Sequence, residues 1–160
     1  MSRGITLYLL IGLLALTVAP ASPGAARDGA APLLVLVAAS FPSNDVPFDA
    51  LREAFKGRPS LVQGRRLVPL NQPLHSPLRV GFDRAVLGLE PSAVSAFWID
   101  ARVRDEGKPP LEVPTPELTV RVLAALANSI AYGTPSMLNP KIKALTVDGK
   151  SAMQPGYPVQ

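Results

Sequence analysis

Residues 65–88, RRLVPLNQPLHSPLRVGFDRAVLG, predict a strand, a polar loop and an amphipathic helix in direct succession. Leu67–Leu70 is the strand, and its Pro69 lacks an amide hydrogen, which favours an edge or a strand end. Ser76 and Pro77 are typical of a helix N-cap and of the first helical position. The apolar residues that follow lie at helical spacing; they are Leu78, Phe82, Val86 and Leu89.

The loop of this unit, Asn71–Arg79, is the predicted ligand site. Ligands of open α/β sheets bind beyond the carboxyl ends of strands, and a helix N-terminus offers free amides and a positive dipole end to an anion. We therefore predict that Ser76 and the amides after it donate to an anion. Asn71 would be a second donor and Arg79 a charge partner. The alternative is an ordinary Ser-Pro helix start, in which the Ser76 hydroxyl only caps the helix.

The flanking sequence continues the alternation of strands and helices. Leu33–Ala39 is a continuous apolar run typical of a strand buried on both faces, and Ser40 after it is a further candidate ligand hydroxyl. Caps and periodicity predict the other elements: helices over Pro47–Phe55, from Glu90 onward and from Thr115 to about residue 127, and strands at Leu111–Val113, Ile130–Tyr132 and Ile142–Val147. This order predicts one small, three-layer-like α/β domain with a mostly parallel sheet.

The N-terminus has the pattern of a secretory signal peptide over residues 1–26. Arg3 is followed by the uncharged apolar run Ile5–Ala19 and by the small residues of Pro20–Ala26. We expect cleavage after residue 26 rather than after residue 21, and hence a periplasmic or secreted protein with no stable membrane insertion. The run is shorter than the roughly 20 residues that span a bilayer. A retained anchor is the alternative, whereas the absence of cysteine excludes a lipoprotein anchor.

The remaining chain divides into a linker at 27–32, a domain at 33–149 and a Pro-rich tail at 150–160. We expect the tail to be poorly ordered, because it has little to bury. Sixteen Lys and Arg against twelve Asp and Glu give a net charge of +4. These basic residues are spread along the sequence, which predicts no nucleic-acid partner.

No catalytic or cofactor motif is found in the sequence. His75 is the single histidine, no cysteine is present, and neither a Gly-x-Ser-x-Gly nor a phosphate-loop pattern occurs. A thiolate zinc site is therefore impossible, and His75 has no neighbouring carboxylate in sequence for acid–base chemistry. We predict a protein that is not an enzyme and that needs no cofactor or metal.

Four segments in order resemble the short phosphate ABC transporter substrate-binding-like proteins of the type 2 periplasmic-binding superfamily. They are FDALREAFKG (48–57), the opening segment 65–88, SAFWIDARVRDEGKPPLEV (95–113) and IAYG (130–133). The resemblance covers about residues 33–149. It implies one lobe of a solute-binding fold that presents amides and hydroxyls to phosphate at a helix N-terminus, and an ABC permease or a sensor as partner.

The loop departs from the family pattern of Arg, a short spacer and Ser-Gly-Thr. Ser76 matches the family Ser, but Pro77 and Leu78 replace Gly and Thr, and Asn71 lies near the place of Arg. Pro77 has no amide hydrogen, and no bidentate guanidinium is supplied at that place. Two functions therefore remain open: capture of a small oxyanion, and a ligand-free interaction module of the cell envelope that retains the fold.

Overall fold

The computed structural model describes residues 31–160, so the predicted signal peptide and most of the predicted linker lie outside the described residues. Strands and helices alternate along this part of the chain. The elements are β1 (Leu34–Ala38), β2 (Asp45–Val46), α1 (Phe48–Phe55), β3 (Leu61–Val62), β4 (Arg65–Arg66), β5 (Val68–Asn71), α2 (Pro77–Phe82), α3 (Pro91–Val103), β6 (Leu111–Glu112), α4 (Pro116–Ala125), β7 (Ser129–Gly133) and β8 (Ile142–Val147).

Six strands form one sheet in the order β2-β8-β1-β7-β5-β6, and β3 and β4 form a separate small hairpin. Strand β1 is antiparallel to both of its neighbours, β7 and β8. The remaining pairs, β2 with β8, β5 with β7 and β5 with β6, are parallel. Five strands of this sheet therefore share one direction and β1 opposes them, which confirms the predicted α/β class with a mostly parallel sheet.

The antiparallel direction of β1 is a feature that the sequence does not indicate. All five of its residues are buried, as predicted from the apolar run. A continuous apolar strand indicates that both of its faces are buried. Its side chains do not indicate whether the neighbouring strands are parallel or antiparallel to it. As a result, the carboxyl end of β1 lies beside the amino ends of β7 and β8.

Aromatic side chains join the helices to the sheet. Phe55 of α1 and Phe82 of α2 approach to 4.5 Å between ring centroids, and Phe82 stacks on Tyr132 of β7 at 3.9 Å. All three side chains are almost completely buried. Such offset or tilted aromatic pairs stabilise a core beyond the area that they bury. The packing holds α2, and hence the loop before it, against the carboxyl half of the sheet.

Helix α2 begins as the sequence predicts, with Ser76 as N-cap and Pro77 in the first turn. It continues directly into a π-helical turn over Asp83–Leu87, which ends at Gly88 in a left-handed conformation with φ of 68°. Glycine adopts this φ without the steric cost that a Cβ would bring. The predicted helix is therefore present, but its second half has a wider winding than an α-helix.

The C-terminal residues differ from the expectation of a poorly ordered tail. Tyr157 and Val159 are buried, with 3% and 0% of their surface exposed, and both belong to the hydrophobic core together with Ala152. The prolines of this segment suppress regular structure, yet these three apolar side chains give the tail enough to bury.

Within residues 31–160, no helix is both long and apolar enough to cross a bilayer.

Candidate functional site

The predicted site lies where β5 ends and α2 begins, on the side of the sheet to which most strands point. Asn71 is the last residue of β5, and Gln72 to Ser76 form the connecting turn. The turn is closed by the Ser76 amide, which donates to the Pro73 carbonyl at 2.9 Å. The local geometry is therefore the strand–turn–helix that the sequence predicts.

Ser76 acts as the helix cap. Its hydroxyl oxygen accepts from the Arg79 amide at 3.2 Å, and the hydroxyl donates to Gln72 Oε1 at 3.1 Å. The single hydroxyl proton is thus already used inside the protein. A ligand would have to exchange with Gln72 to receive it.

Three backbone amides of this turn are available as donors. Among residues 31–160, the amides of Leu74, His75 and Leu78 donate no hydrogen bond to a protein acceptor. His75 is exposed, and Leu74 and Leu78 are half-buried. Amides in a turn and in the first turn of a helix that lack a protein acceptor bond to water or to a ligand. These amides are the groups of the loop that could hold an anion.

Arg79 is directed into the protein and is paired there. Its side chain is only 7% exposed and contacts Asp83 at 3.3 Å and Glu112 at 3.2 Å. It also donates to the Gln72 carbonyl at 2.8 Å. Two carboxylates therefore surround one guanidinium, and the cluster offers no excess positive charge to an anion.

Asp83 is the most constrained member of this cluster. It is 2% exposed, and its Oδ1 atom has no hydrogen-bond partner within the described part of the chain. Burial raises the pKa of the Asp83 carboxyl, and the neighbouring Arg79 charge opposes that rise without cancelling it. The desolvation of the Asp83 carboxylate therefore offsets part of the stabilisation that its ion pair with Arg79 provides.

Asn71 is buried and joins a hydrogen-bond network through the oxygen of its side chain. Its Oδ1 atom accepts from the Tyr132 hydroxyl, and that hydroxyl accepts from the Gln72 amide at 3.3 Å. Gln72 Nε2 donates to the Tyr132 carbonyl at 3.3 Å. Burial is the main cause that raises the pKa of Tyr132 above its usual 10. This network ties the end of β5 to β7.

Ser40 lies at the opposite end of the sheet, beside the amino ends of β7 and β8. It is exposed in the turn after β1, where Ala38 pairs with Ile142 at the start of β8. Because β1 is antiparallel to β5, the carboxyl end of β1 and the carboxyl end of β5, where Asn71 lies, are at opposite ends of the sheet. The structure thus brings Asn71, Ser76 and Arg79 together and leaves Ser40 apart.

Sequence reasoning missed four residues that decide the character of this site: Gln72, Asp83, Glu112 and Tyr132. The Arg79–Asp83 spacing of four residues on a helix is a recognisable ion-pair pattern. Glu112 comes from β6 and Tyr132 from β7, and no local pattern links them to the loop. Within residues 31–160, no three His, Asp or Glu side chains are grouped so as to hold a metal ion.

Comparisons with known proteins find similarity in fold but not in sequence. No protein-family profile and no curated protein sequence matches the chain. An ABC-type phosphate transport receptor from Vibrio cholerae superposes with a TM-score of 0.63 at 11% identity, over 81% of this chain and 53% of that one. A candidate phosphate ABC transporter substrate-binding protein from Clostridium perfringens, solved with bound phosphate, gives 0.58 at 15% identity, over 76% and 47%.

PstS from Borrelia burgdorferi is similar as well, with a TM-score of 0.53 at 11% identity, over 75% of this chain and 48% of that protein. The chain thus spans about half the length of these solved structures. Its fold matches part of the fold of phosphate-binding proteins of ABC transporters, as the sequence resemblance predicts. Those proteins are named as receptors and binding proteins, not as enzymes.

Proposed function

We propose that this chain is an exported, non-catalytic solute-binding domain that captures a small oxyanion, phosphate in the first instance, at the turn Leu74–Leu78. The observation that carries the proposal is the set of three amides, on Leu74, His75 and Leu78, that have no acceptor among residues 31–160. They lie beyond the carboxyl end of a parallel strand, which is where α/β sheets bind ligands.

The fold supports the same ligand class. Solved structures of similar fold are a phosphate transport receptor and a candidate phosphate-binding protein with bound phosphate. By analogy of fold, we propose a periplasmic location after removal of residues 1–26 and an ABC permease or a sensor as partner. Because one fold can serve many functions, the assignment depends on the amides of the turn.

The proposed mode of binding uses neutral donors. Arg79 is paired with Asp83 and Glu112 and supplies no free charge, so phosphate would be held by main-chain N–H groups and by the Ser76 hydroxyl after exchange with Gln72. Charge-assisted hydrogen bonds are about twice as strong as those between neutral groups. We therefore expect binding in the millimolar range.

Calorimetric titration of the mature chain with phosphate tests the proposal, supported by thermal shift at millimolar phosphate. We expect saturable heat that Ser76→Ala weakens several-fold. Ser40→Ala is the matched control, because it removes an exposed hydroxyl from the opposite end of the sheet, and it should leave the titration unchanged. No heat and no thermal shift would overturn the proposal.

A second candidate function is an interaction module of the cell envelope that retains the fold without a ligand. The observation that favours it is that the Ser76 hydroxyl, Asn71 Oδ1 and the Arg79 guanidinium already have partners inside the protein. It predicts an envelope complex, captured by crosslinking, that survives Ser76→Ala, together with a silent phosphate titration. Loss of that complex in Ser76→Ala would count against this candidate.

A further inference from the structure

A groove lies at the opposite end of β5 from the turn Leu74–Leu78. It has a volume of about 410 Å³ and is open to the surface. The end of α1, the β4–β5 connection and the segment before β6 form its walls. The lining residues are Ala54, Gly57, Arg58, Arg66, Leu67, Val68, Pro69, Lys108, Pro109, Pro110 and Leu111.

The groove is positively charged. Arg58, Arg66 and Lys108 line it, and none of the lining residues is acidic. Arg58 is paired with Glu53 at 2.9 Å. Within residues 31–160, Arg66 and Lys108 have no carboxylate within 4.0 Å, and both are exposed. Two cations are therefore free to attract a negatively charged ligand.

Close packing of two glycines fixes the position of Lys108. A Cβ added to Gly57 would collide with the Lys108 carbonyl, and one added to Gly107 would lie 2.7 Å from the Gly57 carbonyl oxygen. Only glycine at both positions allows the backbone of the loop to rest on the end of α1. The Lys108 side chain thus projects from a backbone that is held in place, rather than from a free loop.

The groove also has an apolar lining that reaches the edge of the sheet. Pro69, Pro109 and Pro110 line it together with Leu111, which is 59% exposed. Leu111 belongs to β6, the outermost strand of the sheet, and both residues of β6 are exposed. An uncovered edge strand is where an extended peptide can pair with a sheet.

We propose that this groove binds an extended, acidic segment of a partner protein. Its carboxylates would contact Arg66 and Lys108, and its alternate apolar side chains would rest on Leu111 and the prolines. An open groove beside a strand edge suits a polypeptide better than a small molecule, because small ligands bind in concave sites that cover most of their surface. The proposal is independent of oxyanion capture at the turn.

A fluorescent seven-residue peptide of alternating Glu and Val tests the proposal by anisotropy titration of the mature chain. We expect saturable binding that weakens as salt rises. The double variant R66Q/K108Q should weaken it about tenfold, since it removes the two cations that would pair with the peptide carboxylates. The control R102Q/K141Q removes the same charge from exposed positions outside the groove and should leave affinity unchanged.

Two further peptides separate the components of recognition. A peptide of alternating Lys and Val should not bind, and one of alternating Glu and Ser should bind several-fold more weakly. The proposal is overturned if both double variants weaken binding equally, if the Glu-Ser peptide binds as well as the Glu-Val peptide, or if free glutarate competes at the concentration of the peptide. The last result would assign the groove to a small dicarboxylate.

Discussion

Basic side chains lie near both ends of β5, but within residues 31–160 they are paired with carboxylates at one end and two are unpaired at the other. At the carboxyl end, Arg79 is buried between Asp83 and Glu112. At the amino end, Arg66 and Lys108 are exposed beside an open groove, with no carboxylate within 4.0 Å in the described part of the chain. The charge that a ligand can use therefore depends on residues distant in sequence and not on the basic residue itself.

The comparison also separates stability from binding. A buried ion pair is costly to break, because the partner is left charged in a low-dielectric interior, whereas exposed charges contribute little to folding. We infer that Arg79 stabilises the fold, and that Arg66 and Lys108 are available to bind a partner.

The largest effect is expected at Arg79. Arg79→Met leaves Asp83 buried without its partner and should lower the free energy of unfolding by about 3–5 kcal/mol. The matched variant Arg66→Met should change it by less than about 0.5 kcal/mol. Urea unfolding followed by circular dichroism measures both. Equal losses in the two variants would contradict the division.

The next effect is expected at Tyr132. Tyr132→Phe removes the hydroxyl that donates to Asn71 and accepts from the Gln72 amide. It should cost about 1–3 kcal/mol, because buried polar groups are left without a partner. The same urea assay applies. A loss below about 0.5 kcal/mol would mean that the network at the carboxyl end contributes little to the fold.

A smaller effect is expected at the helix cap. Ser76→Ala should lower the free energy of unfolding by about 1 kcal/mol through the lost contact to the Arg79 amide. Thr115→Ala, which removes the corresponding cap of α4, should cost a similar amount. If Ser76→Ala costs nothing while Thr115→Ala does, the Ser76 hydroxyl is not engaged as a cap.

The smallest effect is a pH dependence at Asp83. Its folded-state pKa is raised, so the carboxyl binds its proton more tightly in the folded state than in the unfolded state, where the pKa is about 4. The associated stability is present below about pH 4 and is lost as pH rises through the folded-state pKa. The wild type should thus lose stability relative to Asp83→Asn as pH rises above about 4. A relative gain would mean that Arg79 outweighs burial.

Local sequence patterns predict much of this fold. The N-caps and first-turn prolines of α2 and α4 are where the sequence predicts them, and β8 has the predicted bounds. These features depend on a few adjacent residues. The direction of β1 depends instead on its pairing with β7 and β8, and no local pattern encodes it.

The position of the site can be predicted from the sequence, but the partners of its side chains cannot. The sequence predicts the strand end, the turn and the capped helix, because each has local turn and cap chemistry. It does not predict that Glu112, which is 33 residues away, would reach Arg79, or that Tyr132 would reach Asn71. The groove at the other end of β5 is formed by contacts of the same long-range kind, through Gly57 and Gly107.

Titration of the uniformly ¹⁵N-labelled mature chain with phosphate, followed by NMR, tests the central claim most directly. We expect the amide resonances of Leu74, His75 and Leu78 to move together and to saturate, while the amide of Ser40 stays in place. Shifts at the exposed cations Arg66 and Lys108, with the three turn amides unmoved, would contradict the account.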